Sequence, residues 1–256
     1  MDQENFQKNY TMQSVHKAIQ VLRAFTKEEP KLSLTELHKK TGIGISSLQR
    51  FVSTLVYEGF LHKDERTKLY QLGMSLLYLG RLVEQESSLL TVSKPILQKI
   101  NEEIGESVCL NIIDGDERRC LVNFESTHAL STKIYVGDTA PLYAGASSKS
   151  LLAFLPEDEL QAYFESIQII SITDKTVKDI ATLQQDLQVI REQGFAISNG
   201  ERVVGASSVS APILSPNGRP VASVTIILPT IRFADYEEHL LLDYVMNAKK
   251  QIEKQL

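Results

Sequence analysis

The stretch from Ser33 to Gly73 reads SLTELHKKTGIGISSLQRFVSTLVYEGFLHKDERTKLYQLG. Ser33 with Glu36 three residues later fits the reciprocal capping box that opens a helix. Leu34 and Leu37 give that helix an inward face, and Gly42 suits its left-handed stop. After the turn Gly42-Ile43-Gly44-Ile45, Ser46 is expected to cap a further helix running to about Tyr57. On it Leu48, Phe51, Val52 and Leu55 share one apolar sector. At about 100° per residue, Ser46, Arg50, Ser53 and Tyr57 fall on the far side, with Gln49 at the edge. Two short helices about a tight glycine turn form the helix-turn-helix pattern, whose second helix enters a DNA major groove. There Arg50 would read guanine and Gln49 adenine, while the Ser46, Ser47 and Ser53 hydroxyls reach phosphates or base edges.

The flanks extend this reading. On the C-terminal side Gly59 closes the helix, and residues 60–63 and 68–73 read as two short strands about the polar turn Asp64-Glu65-Arg66-Thr67. Lys63, Arg66 and Lys68 make this hairpin basic, as a wing touching the phosphate backbone would be. On the N-terminal side Val15, Ala18, Ile19, Leu22 and Phe25 recur at helical spacing, with Ser14 as the expected cap and Pro30 ending the segment. The bland alternative is a helical adaptor that binds protein and whose charges are merely solvated.

Charge is divided along the chain. The whole sequence of 256 residues carries a formal net charge of -5. Residues 1–81 hold 12 Lys and Arg against 8 Asp and Glu, whereas residues 82–256 hold 15 against 24. A basic head on an acidic body is what a DNA-binding head would produce. No apolar run reaches the roughly 18–20 residues of a membrane helix. The opening MDQENFQKNYTMQ lacks the apolar core of a secretion signal, so a soluble, cytoplasmic chain is expected. Cys109 and Cys120 are too few for a disulfide framework; they read as buried thiols, a bridge between paired strands being the alternative. The five histidines form no pattern of metal ligands, and no metal or cofactor is expected. Phosphate-loop and hydrolase motifs are missing too. Ser147 and Lys149, two positions apart on a helix, do not face each other as a nucleophile and base, so no catalytic residue is assigned.

Residues 73–83 are apolar around most of a helix, which suggests a linker helix packed on a second subunit, or else on its own chain. The polar run at 84–88 marks a boundary, giving a DNA-binding domain at 1–73, a linker at 74–88 and a second domain at 89–256. In the last, helices are expected at 90–104, 147–155, 157–166, 177–193 and from about 235. Strands are expected at 108–113, 120–124, 133–136, 194–198, 207–214 and 221–228, with turns at DGDERR and Pro216-Asn217-Gly218. Helices beside a largely antiparallel sheet define an α+β domain. Leu142, Tyr143, Ala146 and Ser147 lead into a helix whose free N–H groups would favour an anion, and the Ser-rich strand after Gly205 offers hydroxyls. Both are also common structural features.

These blocks, in this order, resemble the IclR family of bacterial transcription regulators. The resemblance runs from about Ser14 to Leu256 through SVHKAIQVLRAF, LSLTELHKKTGI, SSLQRFVSTLVYEGFL and KLYQLGMSLLYLG. It continues through KPILQKINEEIGESVCL, APLYAGASSKSLLAFLP, REQGFAISNGERVVGASSVSAPI and NGRPVASVTI. It implies a winged helix-turn-helix joined to a GAF/PAS-like effector-binding domain, a homodimer or homotetramer, and operator DNA as partner. It also implies an effector between the loop-helix segment and the later strands, with polar strand residues that fall at Ser198, Ser208 and Thr225. The chain departs from the family pattern where a recurrent Asp is Ser198, a Cys is Ser208, a Ser is Ile227 and a His is Tyr143. The smaller number of charges points to a small organic acid or a polar carbonyl compound as effector.

Overall fold

The computed structural model describes residues 11–236 and 239–256. Most of the opening polar segment, and two residues of the expected last helix, lie outside them. The chain divides into two compact units, Met1–Glu86 and Ser87–Leu256.

The first unit begins with α1 (Gln13–Arg23), α2 (Leu34–Thr41) and α3 (Ile45–Tyr57). The capping box forms: Glu36 N–H donates to Ser33 Oγ (3.3 Å) and Ser33 N–H donates to Glu36 Oε2 (2.7 Å). Gly42 closes α2 with φ +68°. Two expected caps are corrected. Met12, not Ser14, precedes α1, and Gly44 precedes α3, so Ser46 lies inside the helix. Val15 and Ile19 are exposed, because α1 turns Val21 into the core instead, joined by Phe25 just beyond its end. That core also holds Leu32, Leu37, Leu48, Val52, Leu55, Leu61 and Tyr70.

The hairpin β1 (Leu61–Lys63) and β2 (Tyr70–Leu72) follows, with Leu61 opposite Leu72. Its turn is fixed by Asp64 Oδ1, which accepts from the N–H groups of Arg66 (2.8 Å) and Thr67 (3.1 Å). The helix α4 (Met74–Glu86) starts against the end of α3. Gly73 N–H donates to Phe60 O (2.8 Å), and Ser75 Oγ donates to Glu58 O (3.3 Å). A Cβ on Gly73 would stand 2.0 Å from Gly59 O, so this crossing of two backbone segments requires glycine. No residue of α4 is buried; Leu77, Tyr78, Leu79, Leu82 and Val83 are exposed.

The second unit comprises α5 (Ser88–Ile104), β3 (Ser107–Asp114), β4 (Glu117–Phe124), β5 (Thr139–Pro141), α6 (Ala146–Leu152), α7 (Glu157–Ser166) and α8 (Ile180–Gln193). Then come β6 (Ala196–Asn199), β7 (Ala206–Leu214), β8 (Pro220–Pro229), α9 (Thr230–Phe233) and α10 (Leu240–Glu253). Six strands form an antiparallel sheet in the order β5-β4-β3-β8-β7-β6. Alternation along each strand sorts its side chains by face. Val108, Leu110, Val122, Val209, Ala211, Val224 and Ile226 join Leu97 of α5 and Leu241 and Val245 of α10 in one core. The strand residues between them are mostly polar. A second core gathers Leu142, Tyr143, Leu152, Tyr163, Leu183 and Leu187 around α6, α7 and α8.

Several expected elements shift. Residues 133–136 form no strand: Gly137 N–H donates to Cys120 O and Cys120 N–H to Asp138 O, so β4 is met by the next segment and then by β5. Only Gly115-Asp116 turn between β3 and β4, and Glu117, Arg118 and Arg119 belong to β4. The last helix starts at Leu240, later than about 235, and a short unexpected helix, α9, precedes it. Helix α5 starts at Ser88 and carries Pro95 in its interior. Helix α8 starts at Ile180, capped by Asp179, whose Oδ1 accepts from Thr182 N–H (2.8 Å). Cys109 and Cys120 are buried free thiols, and the bridged alternative is not what forms. Contact with Cys120, together with burial, pushes the Cys109 thiol up, so it stays protonated.

Candidate DNA interface and ligand pocket

On α3, burial of Leu48, Val52 and Leu55 fixes which side faces outward. Ser46, Ser47, Gln49, Arg50 and Ser53 are all exposed on that side, as are Thr54 and Tyr57. Gln49 Nε2 donates to Ser53 Oγ (3.3 Å), one helical turn on, which aligns two of the polar tips. The hairpin carries its cations unevenly. Lys68 Nζ lies 2.8 Å and Lys63 Nζ 3.6 Å from the Glu65 carboxylate, so both lysines are partly neutralised. Arg66 forms no ion pair among the described residues. The sequence reading treated the three as equal; the intervening Glu65 makes them unequal.

In the second unit a pocket of about 550 Å³, open mouth included, lies on the polar face of the sheet. Ala146, Ser147, Ser198 and Ser208 line it, as expected for the first two from the loop and for the others from the strands. Pairing sets the strand row: Ser198 stands opposite Ser208, and Ser208 opposite Ile227. Three expected residues do not line it. Leu142 is 1% exposed in the α6–α8 core. Tyr143 is buried beside it, its hydroxyl donating to Ile170 O and accepting from Ile170 N–H (both 3.2 Å). Thr225 lies one row deeper, its Oγ1 accepting from Asn111 Nδ2 (3.1 Å) and sharing a hydrogen bond with Ser210 (2.8 Å).

The approach to α6 also differs from expectation. Gly145, at φ +90°, does not leave its N–H free: it donates to Glu201 Oε2 (3.0 Å). Glu201 in turn pairs with buried Lys149 (2.7 Å), whose Nζ also meets Asp186 (2.9 Å). An internal carboxylate therefore takes the Gly145 N–H, one of the groups offered to an anion.

The pocket has members that the sequence reading missed: Asn111, Arg118, Lys133, Ile134, Glu201 and Arg202. Arg118 is the most unusual, being 2% exposed. Its Nη1 donates to Asn111 Oδ1 (3.3 Å) and to Asp138 O (3.2 Å), and its Nε has no partner. No carboxylate lies within ion-pair distance of it among the described residues. Burial pulls its pKa below the ordinary arginine value, the direction expected for a cation removed from water. Among the described residues no cluster suited to a metal ion is present, and no helix is long and apolar enough to cross a membrane.

A helix-turn-helix with a hairpin wing, followed by a separate α+β unit that holds a polar pocket, defines the class of two-unit DNA-binding regulators. Residues 14–65 match the IclR helix-turn-helix domain and residues 82–254 the bacterial transcriptional regulator IclR C-terminal domain. The chain belongs to the IclR family of DNA-binding transcription regulators and is not an enzyme. It is 31% identical over 243 residues to the HTH-type transcriptional regulator KipR of Bacillus subtilis, covering 95% of this chain and 96% of that one. The crystal structure of the Thermotoga maritima IclR superimposes with a TM-score of 0.76 at 28% identity, covering 96% of this chain and 99% of that one. An IclR homolog from Microbacterium hydrocarbonoxydans, complexed with 4-hydroxybenzoate, shares the fold with a TM-score of 0.84 at 20% identity, over 95% and 98% of the two chains.

Proposed function

We propose that this regulator is cytoplasmic, binds double-stranded operator DNA as a homodimer or homotetramer, and changes its DNA affinity when a small metabolite enters the second unit. Ser46, Ser47, Gln49, Arg50 and Ser53 read the major groove, while Lys63, Arg66 and Lys68 hold the backbone from the wing. The observation that carries this reading is the outward row of polar side chains on α3, exposed beside a basic hairpin. A groove-reading helix needs such a row, and a helix packed within its own unit would bury it.

The effector is a small organic acid or a polar carbonyl compound, held by Ala146, Ser147, Ser198 and Ser208. The homolog complexed with 4-hydroxybenzoate supports a small-molecule ligand. Helix α4 acts as the linker, between a DNA-binding domain at 1–73 and an effector domain at 89–256. Its exposed apolar surface supports pairing with a second subunit. Effector binding acts by shifting populations between assemblies that present the two recognition helices at different spacing.

The test is selection of genomic DNA fragments with the purified full-length protein. The expected result is enrichment of a few sites, each made of two similar half-sites. Absence of enrichment over unrelated fragments at moderate salt would overturn the reading.

A further inference from the structure

The polar face of the sheet carries a continuous chain of hydrogen bonds. Arg118 Nη1 donates to Asn111 Oδ1, and Asn111 Nδ2 donates to Thr225 Oγ1. Thr225 is bonded to Ser210 (2.8 Å), Ser210 to Ser150 of α6 (2.9 Å), and Ser150 Oγ donates to Ser147 O (3.0 Å). Arginine can only donate and a carbonyl can only accept, so both ends of this chain are fixed. Between them the Ser210 hydroxyl also has Val224 O as an acceptor, at 3.1 Å. Arg118, Asn111, Thr225, Ser210 and Ser150 are each no more than 2% exposed.

This chain holds the guanidinium without neutralising it. Its partners are an amide oxygen and a backbone carbonyl, and its Nε is unpaired. A buried charge without a counterion is costly, and folded proteins tolerate it where something supplies the opposite charge. The other pocket charges do not supply it. Lys133 and Arg202 are cations, and Glu201 is already engaged by Lys149 and by Gly145 N–H.

We propose that Arg118 is the anion-recognition residue of this pocket, and that the ligand is a small carboxylate whose charge completes the guanidinium's coordination. This rests on the effector reading above and changes its chemistry. The anion is held by a buried arginine on β4, not by the N–H groups leading into α6, where Glu201 already sits. Asn111 is a positioning residue that aims the guanidinium.

The experiment is isothermal titration of the full-length protein with matched acids and amides: pyruvate against pyruvamide, benzoate against benzamide, 4-hydroxybenzoate against 4-hydroxybenzamide. At least one acid is expected to bind, with its amide at least about tenfold weaker, as loss of a charged hydrogen bond implies. Arg118→Gln should erase that gap, and Arg118→Lys should keep part of it. Asn111→Asp leaves Arg118 in place but gives it an internal carboxylate. It should erase the gap as well, with no fall in Tm, which separates loss of recognition from misfolding. Equal binding of acid and amide, a gap that survives Asn111→Asp, or no binding of any acid at millimolar concentration would each overturn the assignment. Gel shifts with a selected DNA fragment separate the two levels. A response to the amides but not the acids removes the anion assignment and leaves effector sensing intact. No response to either class removes both.

Discussion

Arg50 stands at the middle of the exposed face of α3, where a guanidinium can pair with the two acceptors of one guanine. Arg50→Ala is expected to lower affinity for a selected operator by about 1–3 kcal/mol and to relax preference at one base position, measured by fluorescence anisotropy. Arg66 belongs to a different kind of contact. Since Lys63 and Lys68 both lean on Glu65, Arg66 is the wing cation most available to phosphate. Arg66→Ala should weaken all sequences alike and make the salt dependence shallower by about one ion. A third residue matters for stability alone. Glu106 is fully buried and receives two hydrogen bonds from Arg232, at 2.5 and 2.7 Å. Arg232→Met would leave that carboxylate only long contacts to Ser126, Tyr236 and His128, and urea unfolding of the variant should show a loss of about 3 kcal/mol.

At the scale of single elements, helix starts and the hairpin turn respond to pH. Backbone N–H groups hold the carboxyls of Glu36, Asp64 and Asp179 below the usual carboxylate range. Their contribution is therefore present above the unfolded carboxylate pKa and is lost as pH falls through the depressed folded values. Circular dichroism during acid titration should show the helical signal holding through the ordinary carboxylate range and falling below it. Ser33→Ala, which removes one half of the box on α2, should cost about 1 kcal/mol in the first unit. The Ser33–Glu36 box was legible in the sequence because its chemistry spans three residues, whereas the expected start at 177 passed over the Asp179 cap. The strand expected at 133–136 was not, because its fate depends on whether β4 is met there or at Gly137 and Asp138, a contact between segments distant along the chain. Arg118 was hidden for another reason. DGDERR carries five charges in six residues and reads as a solvated turn, yet the tight turn at Gly115 pulls Arg118 into the sheet. Ser198 and Ser208 could be placed by position, but Thr225, two residues before Ile227 on β8, falls one row deeper than the pocket.

For the molecule as a whole, the exposed surface of α4 is the feature that the isolated chain leaves unexplained. Leu82 and Val83 are 59% and 69% exposed, next to Leu79 and Tyr78. A monomer would leave this apolar surface in water, whereas a pair of subunits would cover it. Wild type should sediment as an even-numbered assembly, and Leu79→Asp with Leu82→Asp should shift it toward monomer. Operator affinity should fall with it, because a monomer engages one half-site and loses the effective concentration supplied by its partner. If the double variant sediments and binds DNA as wild type does, α4 is not the pairing surface.

The glycine crossing at Gly59 and Gly73 leaves no slack between α3 and α4, since the two backbones touch where any side chain would collide. A twist of α4 at its first turn would therefore bear on the end of α3 at that contact. Whatever grips α4 would thus be felt by the helix whose outer face carries Arg50.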